Sequence, residues 1–260
     1  MNSHQSKDDN KLKLRRFFFI YQILVIAYTT GILWLKRNPL SLIFSAISPF
    51  SLLFVLFVIS NGQYTQFALI GSLVMALVGY GLALGQDISY YKIEYKIQDM
   101  FVASPVSATT YMIGLALSEI LFGFPALIVL TSLLIYFGIE LIFLPLMIIT
   151  IFIIWITTSA MGFFLSSHML HMKNATQIIT FINVIMTVLP PVFYSAEILP
   201  EVLQYVAYSI PTTHASIIMQ YAIGLPTPEN WSLELGFSVQ ILFAIGFVIL
   251  AKTKSIWREP

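Results

Sequence analysis

Long apolar stretches separated by short polar ones dominate the chain. Six of them reach the ~20 residues that a crossing needs: Leu40 to Ser60, Gln66 to Gly85, Thr109 to Phe137, Leu141 to Ser167, Ala175 to Tyr194 and Leu233 to Ala251. Phe17 to Leu35 is of similar length, but Arg15 and Arg16 precede it and Lys36 and Arg37 follow it. Arg15, Gln22, Thr29 and Lys36 recur every seven residues on one helical face. A polar stripe with basic ends predicts a helix lying in the membrane interface rather than crossing. No small-residue cleavage site ends this run, which argues against a secretory signal.

The stretch from Thr187 to Gly224 breaks the pattern. Pro190 and Pro191 remove two helical donors and disfavour helix just before them, so the fifth crossing is expected to stop or kink there. Between Pro200 and Pro211, the residues Val202, Leu203, Val206 and Ile210 fall at helical spacing with Glu201 and Gln204 among them. That spacing predicts a short helix at the membrane surface or dipping into it. Broken backbone at membrane depth survives only under a cover of protein or water, so the stretch either closes a pathway or is an ordinary connecting loop. The expected fold is an all-α polytopic membrane protein. It has six transmembrane helices, an N-terminal interfacial helix, and an external Pro-broken re-entrant region between spans five and six.

Composition agrees: 58% of residues are hydrophobic and 10% charged, far from soluble-domain usage. One transmembrane domain over residues 1–260 is expected, with tails at 1–13 and 252–260, the interfacial helix at 17–35 and the bundle at 40–251. The absence of cysteine excludes disulfides and thiolate metal sites. A formal net charge of +1 hides an asymmetry. With six spans, Lys36, Arg37, Lys92, Lys96, Lys173, Lys252, Lys254 and Arg258 fall on one side, and Glu140, Glu197, Glu201, Glu229 and Glu234 on the other. The positive-inside rule then makes both termini cytoplasmic and the Pro-broken stretch external. A seventh span at Phe17 to Leu35 would put Lys36 and Arg37 outside.

Small residues at four-residue spacing mark close helix contacts, Gly81 with Gly85 and Thr158 with Gly162 and Ser166. Pro49 and Pro125 interrupt two spans and are expected to kink them. Glu119 is an acid well inside a span, expected either to line a pathway or to be hydrogen-bonded locally. Asp87 sits at an interface. Thr176, Thr180, Asn183 and Thr187 form one polar stripe along the fifth span, either glue between helices or the wall of a pathway with Phe193 and Tyr194 at its mouth. His168 and His171 lack a third metal ligand and read as solvated, and His214 stands alone in the external stretch. Asn230 to Ser232 is a formal glycosylation acceptor.

No phosphate-binding G-x-x-x-x-G-K-[ST], no H-E-x-x-H and no G-x-S-x-G occurs, so energy has to come from a partner or an ion gradient. A gradient-driven carrier is the alternative reading, although it would normally show inverted repeats and more intramembrane ionisable groups. An intramembrane hydrolase using Ser159 or Ser166 with His168 lacks an oxyanion device and an orienting acid. The loop from Asp87 to Ser107 places Ile93, Ile97 and Phe101 at four-residue steps, with Glu94, Lys96, Gln98 and Asp99 facing away. That predicts a short amphipathic helix from Lys92 to Phe101, ended before Pro105, which either rests on lipid or serves as a lever for a soluble partner.

The order of parts resembles that of type-2 ABC exporter permeases, membrane subunits of ATP-driven exporters of drugs, lipids and polysaccharides. Pro191 to Tyr194, then Leu199 and Pro200, then Pro211 to Thr213 look like the last third of that family. Glu94 followed by Ser104 to Ser107 resembles its coupling helix and the start of its third span. His168 to Asn174 takes the place of its second cytoplasmic contact, and Phe17 to Leu35 that of its connecting helix. The resemblance implies ATPase coupling through Lys92, Ile93, Glu94, Lys96, Ile97 and Phe101. It also implies an external lid at Pro190, Pro191, Pro200 and Pro211, and the pathway expected from the residues themselves runs by Glu119, Thr180, Asn183 and Thr187 to Phe193 and Tyr194. The implied partners are two copies of an ABC ATPase subunit, a second permease copy or homologue, and the lipid bilayer, with no nucleic acid. No cofactor is expected in this chain; ATP and Mg would act in the ATPase, and the location would be the plasma membrane.

Overall fold

Gly81 and Gly85 on one helix meet Thr158 and Gly162 on another, so the two small-residue steps marked in the sequence are the two sides of one seam. A Cβ on Gly81 would overlap the Thr158 side chain, and one on Gly85 would fall 2.7 Å from the Gly162 carbonyl oxygen. Backbones this close gain dispersion contact along their whole length, which is how helices associate where the surroundings are as apolar as leucine.

The protein is described by a computed structural model over residues 17–256, and among the described residues every regular element is helical. The predicted tail at 1–13, the residues Arg15, Arg16 and Arg258, and the end of the tail at 252–260 lie outside the described residues. The helices are α1, Phe17–Arg37; α2, Leu40–Ile59; α3, Thr65–Glu94; α4, Ile97–Ala103; and α5, Ala108–Tyr136. They continue with α6, Leu144–Ser167; α7, Met172–Thr187; α8, Glu201–Tyr208; α9, Pro211–Ile223; and α10, Leu233–Lys254.

The bundle is built around α3, which packs against α2, α5, α6, α7 and α9. Leu69, Ile70, Leu73, Val74, Leu77 and Leu82 are essentially inaccessible. Its alanines and glycines let neighbours approach on every side, so a helix apolar all round becomes the core. By contrast, α2 buries only Pro49 and leaves Phe44, Phe54 and Ile59 exposed, a surface suited to lipid or to another membrane protein. Helical hydrogen bonding continues past Pro49 in α2 and past Pro125 in α5.

Chain direction follows from contacts. Gln66 at the start of α3 donates to the carbonyl of Phe137 just past α5, while Tyr80 further along α3 lies over Gly123, so α3 and α5 are antiparallel. The seam makes α3 and α6 parallel, and their ends meet where Lys92 Nζ donates to the Ser167 carbonyl. Lys92, Lys96, Lys173, Lys252 and Lys254 thus belong to one end of the bundle, and Lys36 and Arg37 end α1 just ahead of α2. Glu140, Glu197, Glu201, Glu229 and Glu234 belong to the other end.

Among the described residues six helices are long and apolar enough to cross a membrane, and they include α1 but not α7. The course of α1 bears on its role: Ile26 lies at Gly114, Gly31 at Ser118 and Trp34 against Phe122, so α1 runs in the same sense as α5. Since α2 also runs with α5, it continues in the sense of α1 after only Asn38 and Pro39. A separate crossing ahead of α2 would run opposite to it, so α1 and α2 are not two successive crossings. The predicted fifth span needs correction at its end. Its helix stops at Thr187 after 16 residues, and Val188 to Ser195 are not helical. At 1.5 Å per residue that is about 24 Å, short of a ~30 Å hydrocarbon core. The cause is the one the sequence offers: Pro190 and Pro191 cannot donate.

Candidate functional site

At the basic end the predicted coupling helix is two pieces. Lys92, Ile93 and Glu94 belong to a π-turn, Tyr90–Glu94, that ends α3, and the chain then turns through Lys96 at φ 52° before α4 starts at Ile97. Ile93, Ile97 and Phe101 therefore do not share one helix. Packing explains the break: Phe101 sets its ring 4.9 Å from that of Tyr111 on α5, and Gln98, expected to face away, is buried instead. Turning α4 onto α5 requires the left-handed residue. Lys96 and, on α4, Asp99, Met100 and Ala103 are left exposed, with Met100 at 71% exposure. Lys92 holds the end of α3 to the C-terminus of α6, where a cation complements the helix dipole.

Glu119 does not join the polar stripe of α7. It is hydrogen-bonded to Asp87, the acid that the sequence places at an interface, between α3 and α5 near the basic end. The cavity that Glu119 lines includes no residue of α7. A hydrogen bond between two carboxyl groups requires that at least one of them carries a proton.

The stripe itself divides. Thr176 and Thr180 are exposed on the outer side of α7, beside Phe181 at 66% exposure. Thr187 is buried and donates to the Asn183 carbonyl at 2.7 Å. Asn183 is half-buried, with an inaccessible Oδ1 that has no partner. Phe193, expected at a mouth, is half-buried with its ring pressed on Gly71, where any Cβ would overlap it. Tyr194 is half-buried beside it.

At the acidic end, α9 supplies what the unwound chain lacks. Thr212 donates to the Met186 carbonyl at 2.6 Å, Ser216 to that of Pro191 at 3.2 Å, and Gln220 to that of Tyr194 at 3.5 Å. These three side chains recur every four residues, so one stripe of α9 covers the broken stretch, as buried backbone requires. Pro211 opens α9 at its first turn, where no N–H is needed, and Gly224 ends it at φ 78°. Residues 211–220 are all buried, so Pro190, Pro191 and Pro211 lie inside the packing, and only Pro200, ahead of the exposed α8, is at the surface.

His214 is part of the same network. Trp231 donates its indole N–H to Nδ1 at 3.2 Å, and since indole cannot accept, Nδ1 is unprotonated. Nε2 then carries the proton and donates to the Tyr208 carbonyl at 2.9 Å. Burial holds the His214 pKa below its ordinary value, partly offset by the Tyr208 carbonyl. Ser216 and Gln220 are site residues that sequence reasoning does not single out, although the four-residue polar step in α9 is open to view, and Asp87, Thr212 and Trp231 are named there without these contacts.

A family model described as ABC-2 type transporter matches residues 21–223. The chain belongs to the ABC-2 type transporter family. The match begins inside α1 and ends with α9, so it takes in the broken stretch and its polar cover. As an ABC-2 type permease the chain is a multi-pass membrane protein with the transport domain and without a matched ATPase domain. The helix α10 lies beyond the match but packs on α6 and α9 as part of the same bundle. No curated protein matches the chain.

Proposed function

We propose that this ABC-2 permease is the membrane subunit of an ATP-driven exporter for a hydrophobic or amphipathic substrate of drug or lipid type. The observation that carries the reading is α4, a short helix wedged on α5 at the basic end, with Lys96, Asp99, Met100 and Ala103 turned outward. A docked ATPase pushing there would move α5 through Phe101 and Tyr111, and α3 through the turn at Lys96. Lys92 would pass the displacement to α6. ATP and Mg would be held by the partner, two copies per complex.

The basic end is then cytoplasmic under the positive-inside rule, with both termini on that side, in the plasma membrane. The chain acts as one permease domain, with α1 as connecting helix and α8 and α9 as the external re-entrant region. A second permease copy or a homologue faces α7 and encloses the pathway, since exposed Thr176 and Thr180 find no partners in lipid. Substrate is bound better with the pathway open inward and released when the α9 network parts. The test is purification of the tagged protein from its own host. An ATP-hydrolysing subunit should accompany it and be lost with Met100→Asp, and its absence from the unaltered chain would sink the proposal.

A further inference from the structure

A cavity of about 630 Å³ lies among α1, α3, α4 and α5 at the basic end, within the ~300–1,000 Å³ span of small-molecule sites. Its walls include Trp34 and Phe122, set edge to face with centroids 5.7 Å apart, and Tyr91 and Tyr95. Asp87 and Glu119 close it, and among the described residues no lysine or arginine lines it. Glu119 is 8% exposed, and the hydrogen-bonding partner described for its side chain is a second acid.

We propose that this cavity binds a soft organic cation of the ammonium type, with Asp87 and Glu119 as its counter-charge and the aromatic faces as its walls. Buried acids are costly without a cation, and the described residues line the cavity with none. A compact hydrated metal ion would want several oxygen ligands, whereas flat rings suit a diffuse charge, which the aromatic quadrupole attracts. Glycine at position 31 helps to shape the space: a Cβ there would press on Ser118 at 3.2 Å, so α1 and α5 meet closely beside the opening. The site is separate from the α7 surface. It depends on the packing of α1, α3 and α5 and not on the ATPase reading, so failure of one leaves the other standing.

The experiment is equilibrium dialysis of the full chain, purified in a non-ionic detergent, against tritiated tetraphenylphosphonium. Saturable binding near one per chain is expected, weakened about tenfold or more by Asp87→Asn or Glu119→Gln and about fivefold by Trp34→Leu. Uncharged triphenylphosphine oxide should not compete. Tyr95, 63% exposed, gives a wall variant that leaves the core intact, and Tyr95→Ala should weaken binding while the melting curve holds. Repeating the measurement in nanodiscs separates two sources of the ammonium group. If phosphatidylethanolamine or phosphatidylcholine competes where phosphatidylglycerol does not, a lipid headgroup is the occupant; if neither does, it is a free amphipathic cation. No saturable binding, or binding unchanged in folded Glu119→Gln and Tyr95→Ala, would overturn the proposal.

Discussion

Trp231 donates to His214 Nδ1 at 3.2 Å, and this bond exists only while His214 is neutral. The native pKa of His214 lies below the ordinary histidine value of 6.5, so between those two values the unfolded chain binds more protons. The stability that comes from keeping His214 neutral is present above 6.5 and is lost as pH falls through that window. The melting temperature of the purified protein should therefore drop between about pH 7.5 and 5.5. His214→Gln should melt lower at about pH 7.5 but depend less on pH. An equal slope in the two proteins would locate the sensitive group elsewhere.

Met100 and Phe101 are neighbours with opposite duties. Phe101 packs on Tyr111, and truncating it to alanine should cost roughly 2 kcal/mol, less than the ~3–5 kcal/mol of a fully buried phenylalanine. Met100 is 71% exposed, so Met100→Asp should leave the melting temperature within about a degree or two. Co-purification of an ATPase should fail with Met100→Asp. Phe101→Ala should lower stability first. The reverse pattern would mean that α4 docks through the face now turned inward.

What the sequence disclosed and what it hid have separate physical grounds. The seam of Gly81 and Gly85 was legible because close approach demands small residues at the helical repeat, and the end of α7 because proline cannot donate. The break at Tyr95 and Lys96 was not legible. Nothing local demands φ 52° of a lysine, and the demand comes from Phe101 and Gln98 reaching α5. The pairing of Asp87 with Glu119 depends on the register of α3 on α5, which periodicity does not set. The segment Pro211 to Gln220 is placed by the sequence only within an external, Pro-broken stretch. It is buried because Met186, Pro191 and Tyr194 present carbonyls that need those hydroxyl and amide groups.

Gly85 offers a direct test of the seam. A methyl group there would meet the Gly162 carbonyl oxygen at 2.7 Å and the Ile179 side chain at 2.8 Å, and the backbone oxygen cannot step aside. Gly85→Ala should destabilise the protein by about 1–3 kcal/mol through overpacking. Gly246 on α10 has open space for a methyl group, with nothing within 4 Å, and Gly246→Ala should be neutral or stabilising by about 0.5–1 kcal/mol. Thermal unfolding in detergent reads both. Equal effects would show that α3 and α6 are looser than the seam requires.

The outer side of α7 carries the last prediction. Thr176, Thr180 and Phe181 are exposed, and exposed hydroxyl groups on a membrane helix find no partners in lipid, so this face is incomplete in one chain. If a second permease copy completes it, cysteines at Thr180 on two copies should come within reach of a short bis-maleimide. The chain has no cysteine of its own, so a single introduced thiol reports cleanly. Thr180→Cys in native membranes should give a cross-linked dimer. Leu242→Cys on α10, where the side chain is 71% exposed, should remain monomeric because that face meets lipid. Cross-linking at Leu242 and not at Thr180 would move the contact between copies to α10, and the α7 stripe could then no longer be the wall of a shared pathway.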